Sequence, residues 1–206
     1  MDVEFYFDPS CPYCWITSRW LITVKNNRPD INITWRPFSL AIKNDELART
    51  SGGHLPAHRI LRVILAASKQ GGDMGELYSA FGTQRHVLGE AYGDNVIKQV
   101  LKEQNLDQAL LKYADETSLD SELEASINSA LEVVGNDVGV PIIIFNKDGK
   151  RSGYFGPVLL KLPSVSHSLD LWDGLVTLAT SEEFYELKRS RDGVGPDTAS
   201  TAICIP

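Results

Sequence analysis

The sequence has few cysteines, no long apolar run and no block of basic residues. Three cysteines, Cys11, Cys14 and Cys204, occur in 206 residues. A disulfide-stapled scaffold is not required, because a chain of this length can build a core without cross-links. No run of about 18 apolar residues occurs, so we expect no membrane-spanning helix and no membrane partner. The net charge of −7, without Lys or Arg clusters, argues against a nucleic-acid partner.

The amino-terminal residues MDVEFYFDPS lack both a basic region and a long apolar region. A secretory signal needs both, so we expect none and predict a cytoplasmic protein. Structural disulfides are rare in that compartment, which argues against a structural bridge between Cys11 and Cys14.

Strand and helix signals alternate in the first forty residues. Residues 3–8, VEFYFD, are rich in β-branched and aromatic residues and predict a strand. From Cys14 onward the apolar residues recur at helical spacing, until Asn26-Asn27-Arg28-Pro29 ends the helix. Residues 31–38, INITWRPF, predict a second strand, so the pattern is strand, CxxC, helix, strand.

The middle of the chain carries helical periodicity without a convincing strand. Residues 41–134 therefore predict an all-helical segment punctuated by glycines. Strand signals return at 142–145 and 151–155, with a turn at 146–149 between them. A helix over 168–178 follows, and Thr180-x-x-Glu183 fits the capping box of a last helix through about residue 188. The tail from residue 191 predicts a loose segment.

This order predicts an α/β domain interrupted by a helical insertion. We place the α/β domain at residues 1–40 plus 135–206 and the insertion at 41–134. Oligomeric state is left open by the sequence, and a homodimer is one possibility.

The two closely spaced cysteines have three possible uses: a structural bridge, half of a metal site, or a redox pair. A zinc site needs two more ligands, and the sequence has no second CxxC. His54 and His58 are four residues apart, but Pro56 between them disfavours a regular helix there. We therefore expect no metal.

A redox pair fits the place of the motif, which lies where a strand ends and a helix begins. Backbone N–H groups and the helix dipole favour negative charge there, and they lower a thiol pKa from ~8.5 to roughly 3.5–7.5. Pro12 suits the first helical turn because it has no N–H to leave unpaired. We assign Cys11 as the nucleophile at the helix start and Cys14 as the resolving thiol one turn inside. Pro141, at the start of the third strand, is a candidate cis-proline.

The chain resembles the thioredoxin-fold proteins of the DsbA-like group, in which a CxxC begins the first long helix, a helical domain is inserted in mid-fold and a cis-proline loop faces the disulfide. It further resembles the actinobacterial mycothiol-dependent reductases, which include proteins described as mycothiol-dependent nitroreductases. That resemblance spans residues 4–191, and five blocks carry it: FDPSCPYCWITSRW, FSLAIKN, VGNDVGVPIIIFN, GYFGPVLLKLP and FYELKR.

The resemblance implies that Cys11 attacks, Cys14 resolves and Val140-Pro141 is the cis-proline pair beside them. It implies mycothiol as a thiol co-substrate and no tightly bound cofactor. The resemblance also places three further residues as candidates near the reactive cleft: Trp15, Asn44 and His86. The family often has Trp before the second cysteine, where this chain has Tyr13, so the substrate contact at that position is open.

The leading functional prediction is a thiol-disulfide oxidoreductase acting on a disulfide protein, a mycothiol mixed disulfide or a small electrophile such as a nitro compound. Two alternatives stay open. One is a thiol transferase or isomerase of the kappa glutathione-transferase kind, and the other is a redox-regulated chaperone or metal-binding module. Cys204 is either an inert thiol or an additional resolving thiol. The direction of electron flow is also open, because potentials of such dithiols range from about −120 to −270 mV.

Overall fold

The computed structural model describes residues 1–190 and 193–204 of the chain, apart from the Cys204 side chain. Cys204 therefore has no structural test here, because its side chain lies outside the described residues. No helix within the described ranges is long and apolar enough to cross a membrane.

The amino-terminal unit has the predicted order of elements. Strand β1 spans Asp2–Phe7, helix α1 spans Pro12–Asn27 and strand β2 spans Asn32–Pro37. β1 and β2 pair in parallel, with Phe7 opposite Pro37. Their carboxyl ends therefore meet at one edge of the sheet, where α1 begins.

Six α-helices and two 3₁₀ turns separate β2 from the next strand. The α-helices are α2 at Leu40–Lys43, α3 at Glu46–Arg49, α4 at Leu55–Ser68, α5 at Met74–His86, α6 at Asp94–Glu103 and α7 at Asp120–Val134. The 3₁₀ turns are Gln108–Ala114 and Thr117–Leu119. The predicted helical segment is thus helical throughout its described elements, whereas its boundaries as a separate domain stay a prediction.

The proline argument against a helix near His58 was wrong. α4 begins at Leu55, so Pro56 lies in its first turn and His58 lies inside the helix. The first helical N–H groups have no partner within the helix, so a proline there removes no hydrogen bond.

The carboxyl-terminal strands complete a four-stranded sheet. β3 spans Ile142–Lys147 and β4 spans Lys150–Phe155, and the strand order is β2-β1-β3-β4. β3 runs antiparallel to both neighbours, with Tyr6 opposite Ile142. This antiparallel register brings the start of β3 to the edge at which β1 ends.

Successive side chains along each strand point to opposite faces of the sheet, and both faces are covered. Tyr6 faces α7, where its hydroxyl lies 3.4 Å from Ser129 Oγ. Phe145, on the other face, packs against Trp172 of α8, which spans Val165–Ala179. The sheet therefore contacts α7 on one side and α8, which packs against α1, on the other.

The predicted last helix is absent. α8 continues to Ala179, and Thr180 ends it: the Thr180 hydroxyl donates to the Val176 carbonyl at 2.8 Å. Thr180 has backbone angles of φ −97° and ψ 0° instead of the extended angles typical of an N-cap, and no helix follows it in residues 181–190.

The tail is more ordered than predicted. A 3₁₀ helix spans Thr198–Cys204, and Thr201 within it is fully buried. The Asp197 N–H donates to the Leu160 carbonyl at 2.7 Å, which ties the tail to the loop before α8.

Candidate active site

The turn between β1 and α1 is built around the buried carboxylate of Asp8. One oxygen of Asp8 accepts from the Ser10 N–H at 2.8 Å and from the Ser10 hydroxyl at 2.5 Å. The other oxygen accepts from the Leu40 N–H at 2.7 Å, at the start of α2. Burial raises the pKa of Asp8, and these hydrogen bonds oppose that shift. Asp8 thus fixes the loop that carries the first cysteine.

Cys11 is the N-cap residue of α1. Its sulfur accepts from the Cys14 N–H at 3.3 Å, and Pro12 is the first helical residue. The Cys11 thiol also donates to the Val140 carbonyl at 3.5 Å. The Val140–Pro141 peptide bond is cis. The structure therefore brings Cys11, Val140 and Pro141 together across 129 residues of sequence.

The two thiols differ in access and in acidity. Cys11 keeps 7% of its surface exposed, whereas Cys14 has none. A hydrogen bond from the Cys14 thiol lowers the pKa of Cys11, against the opposing effect of burial. Burial raises the pKa of Cys14 well above its usual value, and the Cys11 sulfur raises it further. Cys11 is thus the thiol that ionises first and can be reached from outside.

His86, a predicted cleft residue, lies at the loop of residues 8–11 between β1 and α1, here called the redox loop. Its Nε2 lies 2.8 Å from the Pro9 carbonyl oxygen, which can only accept, so Nε2 carries the hydrogen. Burial lowers the pKa of His86 to about 4, so the ring is neutral at pH 7. Tyr92 donates to the same carbonyl at 3.1 Å. Two side chains of the helical segment thereby hold the loop that precedes Cys11.

The Trp15 side chain is fully buried, and its place near the reactive cleft stays a prediction. Its ring stacks on His86 at 5.7 Å between centroids, and the Arg19 guanidinium lies 4.2 Å from its ring centre. The indole N–H donates to Thr201 Oγ1 at 2.8 Å. Trp15 therefore joins the start of α1 to the carboxyl-terminal tail.

A glycine makes this arrangement possible. A side-chain carbon on Gly82 of α5 would lie 2.4 Å from the Trp15 ring. Such an approach is far below van der Waals contact, so only glycine lets α5 pack this closely on Trp15.

Asn44 and Tyr13 have less defined places. Asn44 is exposed at the end of α2, where its carbonyl accepts from Arg49. No hydrogen bond recorded for the described residues joins Asn44 to either cysteine. Tyr13 is half-buried against the hydrophobic core. The roles predicted for both residues stay predictions.

Sequence reasoning missed three participants: Asp8, Tyr92 and the Pro9 carbonyl. Asp8 had a local signal, because an Asp two residues before a Ser N–H in a Pro-containing turn is typical of an Asx turn. Tyr92 had none, since it reaches the loop from the helical segment. Among the described residues, no group of three or more His, Cys, Asp or Glu side chains is arranged to hold a metal ion.

Comparison with known proteins places this geometry among redox proteins. The family model for "Rv2466c-like: Mycothiol-dependent nitroreductase Rv2466c" matches residues 10–189. The uncharacterised protein Rv2286c of Mycobacterium tuberculosis is 29% identical over 199 residues, which covers 92% of this chain and 82% of that protein.

Two solved structures are similar in fold. The cytosolic disulfide reductase DsbM from Pseudomonas aeruginosa has a TM-score of 0.60 at 14% identity, covering 87% of this chain and 100% of its own. The probable DsbA oxidoreductase SCO1869 from Streptomyces coelicolor has a TM-score of 0.57 at 16% identity, covering 93% of this chain and 94% of its own. The expected DsbA-like α/β fold is confirmed by these similarities.

Proposed function

The chain belongs to the Rv2466c-like family of mycothiol-dependent nitroreductases, and we propose that it works as a dithiol oxidoreductase in which Cys11 attacks and Cys14 resolves. Family membership makes it an oxidoreductase. The assignment of the two cysteines is our proposal, and one observation carries it: the thiol that keeps 7% of its surface exposed has the lowered pKa, and the fully buried thiol has the raised one.

The proposed reaction has two exchange steps. The Cys11 thiolate attacks one sulfur of a disulfide, forms a mixed disulfide with it and releases the other sulfur as a thiolate. Cys14 then attacks the Cys11 sulfur, forms the Cys11–Cys14 disulfide and releases the second thiolate. The substrate is thereby reduced by two electrons, and the protein must regain them from a thiol.

We propose mycothiol as that thiol, because the matching family is described as mycothiol-dependent. A disulfide or a small electrophile such as a nitro compound is the proposed substrate. The cytoplasm is the proposed location, because thiols are kept reduced there and the proposed reaction draws its electrons from a thiol. Pro12, Tyr13, Val140 and Pro141 are proposed to shape the surface next to Cys11, with Asn44 as a further substrate contact.

A mass measurement tests the nucleophile and the thiol together. The Cys14→Ser/Cys204→Ser variant retains Cys11 as its single cysteine. We expect it to gain one mycothiol when incubated with oxidised mycothiol, and little glutathione when incubated with oxidised glutathione. The matched control is Cys11→Ser/Cys204→Ser, in which only buried Cys14 remains and no adduct should form.

Two results would contradict the proposal. Equal adducts on the control would show that Cys14 is as reactive as Cys11. Absence of any adduct on Cys11 would remove it as the nucleophile toward low-molecular-weight disulfides. Full activity of Cys14→Ser in the presence of a bound thiol would instead favour the thiol-transferase alternative.

A further inference from the structure

Thr17 of α1 is fully buried, and its hydroxyl bonds to a partner outside its own helix. It donates to the Pro157 carbonyl at 2.7 Å, across 140 residues of sequence. Ser18 and Thr23, on the same helix, donate to carbonyls within the helix at 2.6 and 3.0 Å. Such bonding within the helix is common for these hydroxyls. The bond of Thr17 is instead a tether between α1 and the loop that follows β4.

The loop that Thr17 holds is itself joined to the segment before β3. The Gly156 N–H donates to the Pro141 carbonyl at 2.7 Å, one step beyond the last β3–β4 pair. Gly156 has a φ of +113°, a conformation that residues with a side chain rarely adopt, so a glycine is required where the chain turns there. The bonds of Thr17 and Gly156 therefore link α1 to Pro141 in two steps.

Both ends of this path lie on the helix that carries the two cysteines. Thr17 lies three residues after Cys14, on the same face of α1. At the other end, Val140 directly precedes Pro141, and the Val140 carbonyl accepts from the Cys11 thiol at 3.5 Å. The segment that contacts the thiol is thus braced against the helix from which the thiol projects.

We propose that Thr17 is a positioning residue that holds the Val140 carbonyl at the Cys11 sulfur. The inference rests on the proposed dithiol function and adds one residue to it. A thiol that donates to a carbonyl keeps its proton more firmly, because the thiolate has no hydrogen to donate. The Val140 carbonyl therefore opposes the hydrogen bonds from Cys14, which lower the pKa of Cys11.

This opposition matters for the attack on a disulfide. A thiol of very low pKa is ionised but is a weak nucleophile, and the best attacking thiol has a pKa near the ambient pH. Asp8 is a further titratable group that faces Cys11, and its charge raises the pKa of Cys11. Neither Asp8 nor Cys14 is on the loop that Thr17 holds. Loss of the tether should therefore act on the Val140 contact and leave both groups in place.

A titration of Cys11 tests the role of Thr17. In the Cys14→Ser/Cys204→Ser background Cys11 is the single cysteine, and the ultraviolet absorbance of its thiolate gives its pKa. Thr17→Val replaces the hydroxyl with a methyl group of similar size. We expect the Cys11 pKa to fall by about 0.5, the effect of losing one weak hydrogen bond to the thiol. Alkylation of Cys11 by iodoacetamide below that pKa should become about twofold faster.

Three further variants separate positioning from stability. Thr17→Ser retains the hydroxyl and should restore the Cys11 pKa of the parent background. Thr23→Val is the matched control, because it also removes a hydroxyl from α1, but one that bonds within the helix. It should leave the Cys11 pKa unchanged, whatever its effect on the melting temperature. Thr17→Ala, measured beside Thr17→Val, makes the test independent of how valine packs.

Each contrary outcome has a distinct meaning. An unchanged or raised Cys11 pKa in Thr17→Val and Thr17→Ala, or an equal fall in Thr23→Val, would overturn the role of Thr17 while leaving the dithiol function in place. Failure of both Thr17 variants to fold would make Thr17 a stability residue and would likewise overturn its positioning role. A parent background in which Cys11 takes up no mycothiol would overturn the proposed dithiol function, and the role of Thr17 in it.

Discussion

Two buried clusters of reactive residue types lie side by side in this fold, and only one has the properties of an active site. The first is the redox loop with Cys11 and Cys14. The second, here called the His58 cluster, contains Ser39, His58, Arg62 and Asp120. Its Ser39 hydroxyl lies 2.9 Å from His58 Nδ1, and His58 Nε2 lies 3.2 Å from Asp120 Oδ1 without a well-aligned hydrogen bond.

The residue types of the His58 cluster are those of a hydrolase triad, but its serine is not accessible to a substrate. Ser39 is fully buried, and its hydroxyl accepts from the Ile42 N–H as the N-cap of α2. Arg62 holds Asp120 through two hydrogen bonds of 2.7 and 2.6 Å. The cluster therefore joins α2, α4 and α7, and it offers no free nucleophile.

The redox loop differs in two respects. Cys11 keeps 7% of its surface exposed, whereas Ser39 keeps none, and the pKa values of the two thiols are driven in opposite directions. The comparison teaches that residue types and spacing do not identify an active site. Access for a substrate and two groups with diverging pKa values do so.

The largest expected effect is on the rate of disulfide reduction, and it separates the redox loop from the His58 cluster. Cys11→Ser should lower the rate of disulfide reduction by at least about 1,000-fold, because a serine hydroxyl is not ionised at neutral pH and cannot replace the thiolate. The measurement is steady-state reduction of a disulfide substrate. The matched change in the other cluster, Ser39→Ala, should retain the rate of the parent protein. Retained turnover in Cys11→Ser would contradict our assignment.

The next effect concerns stability of the His58 cluster. Asp120→Ala leaves the buried Arg62 charge without its partner, and we expect the free energy of unfolding to fall by about 3–5 kcal/mol. Denaturant unfolding measures it, and the rate of the remaining folded protein should be unchanged. The exposed pair Lys150–Glu182 supplies the control, since Glu182→Ala should not change stability measurably. Equal effects at both pairs would show that burial of the ion pair does not matter.

A third prediction uses the acidity of His86 at the redox loop. Its pKa in the folded protein is about 4, below the usual value of 6.5. The unfolded chain therefore binds a proton first as pH falls, and stability should drop between pH 6.5 and 4 by up to about 3 kcal/mol. Comparing unfolding of the parent and His86→Gln across this range isolates the His86 contribution, and the parent should show the steeper loss. Parallel curves would contradict the neutral, buried state of His86.

The smallest expected effect is on the free energy of unfolding, and it tests whether Ser39 has a structural or a chemical role in the His58 cluster. Ser39→Ala removes the N-cap of α2 and the contact with His58, and we expect a loss of about 1–2 kcal/mol. Thermal unfolding measures it. A variant that becomes inactive while remaining folded would give Ser39 a chemical role that its burial argues against.

Much of the fold was predictable because its signals are local. The strand before the CxxC, the helix after it and the helical middle all follow from spacing of apolar residues and from turn residues. The error at the last predicted helix arose where two local signals competed. Thr180 has the residue type of an N-cap, yet the helix that arrives from Val165 uses it as an end.

The sequence by itself determined the redox motif, its place at a strand-to-helix junction and the order of elements around it. Each of these features depends on residues that are close together in the sequence. The tertiary structure decided which side chains surround the motif. His86 reaches the Pro9 carbonyl across 77 residues, and Trp15 reaches Thr201 across 186. Contacts at such separations leave no periodic pattern in the sequence, because they depend on how whole helices pack against the sheet.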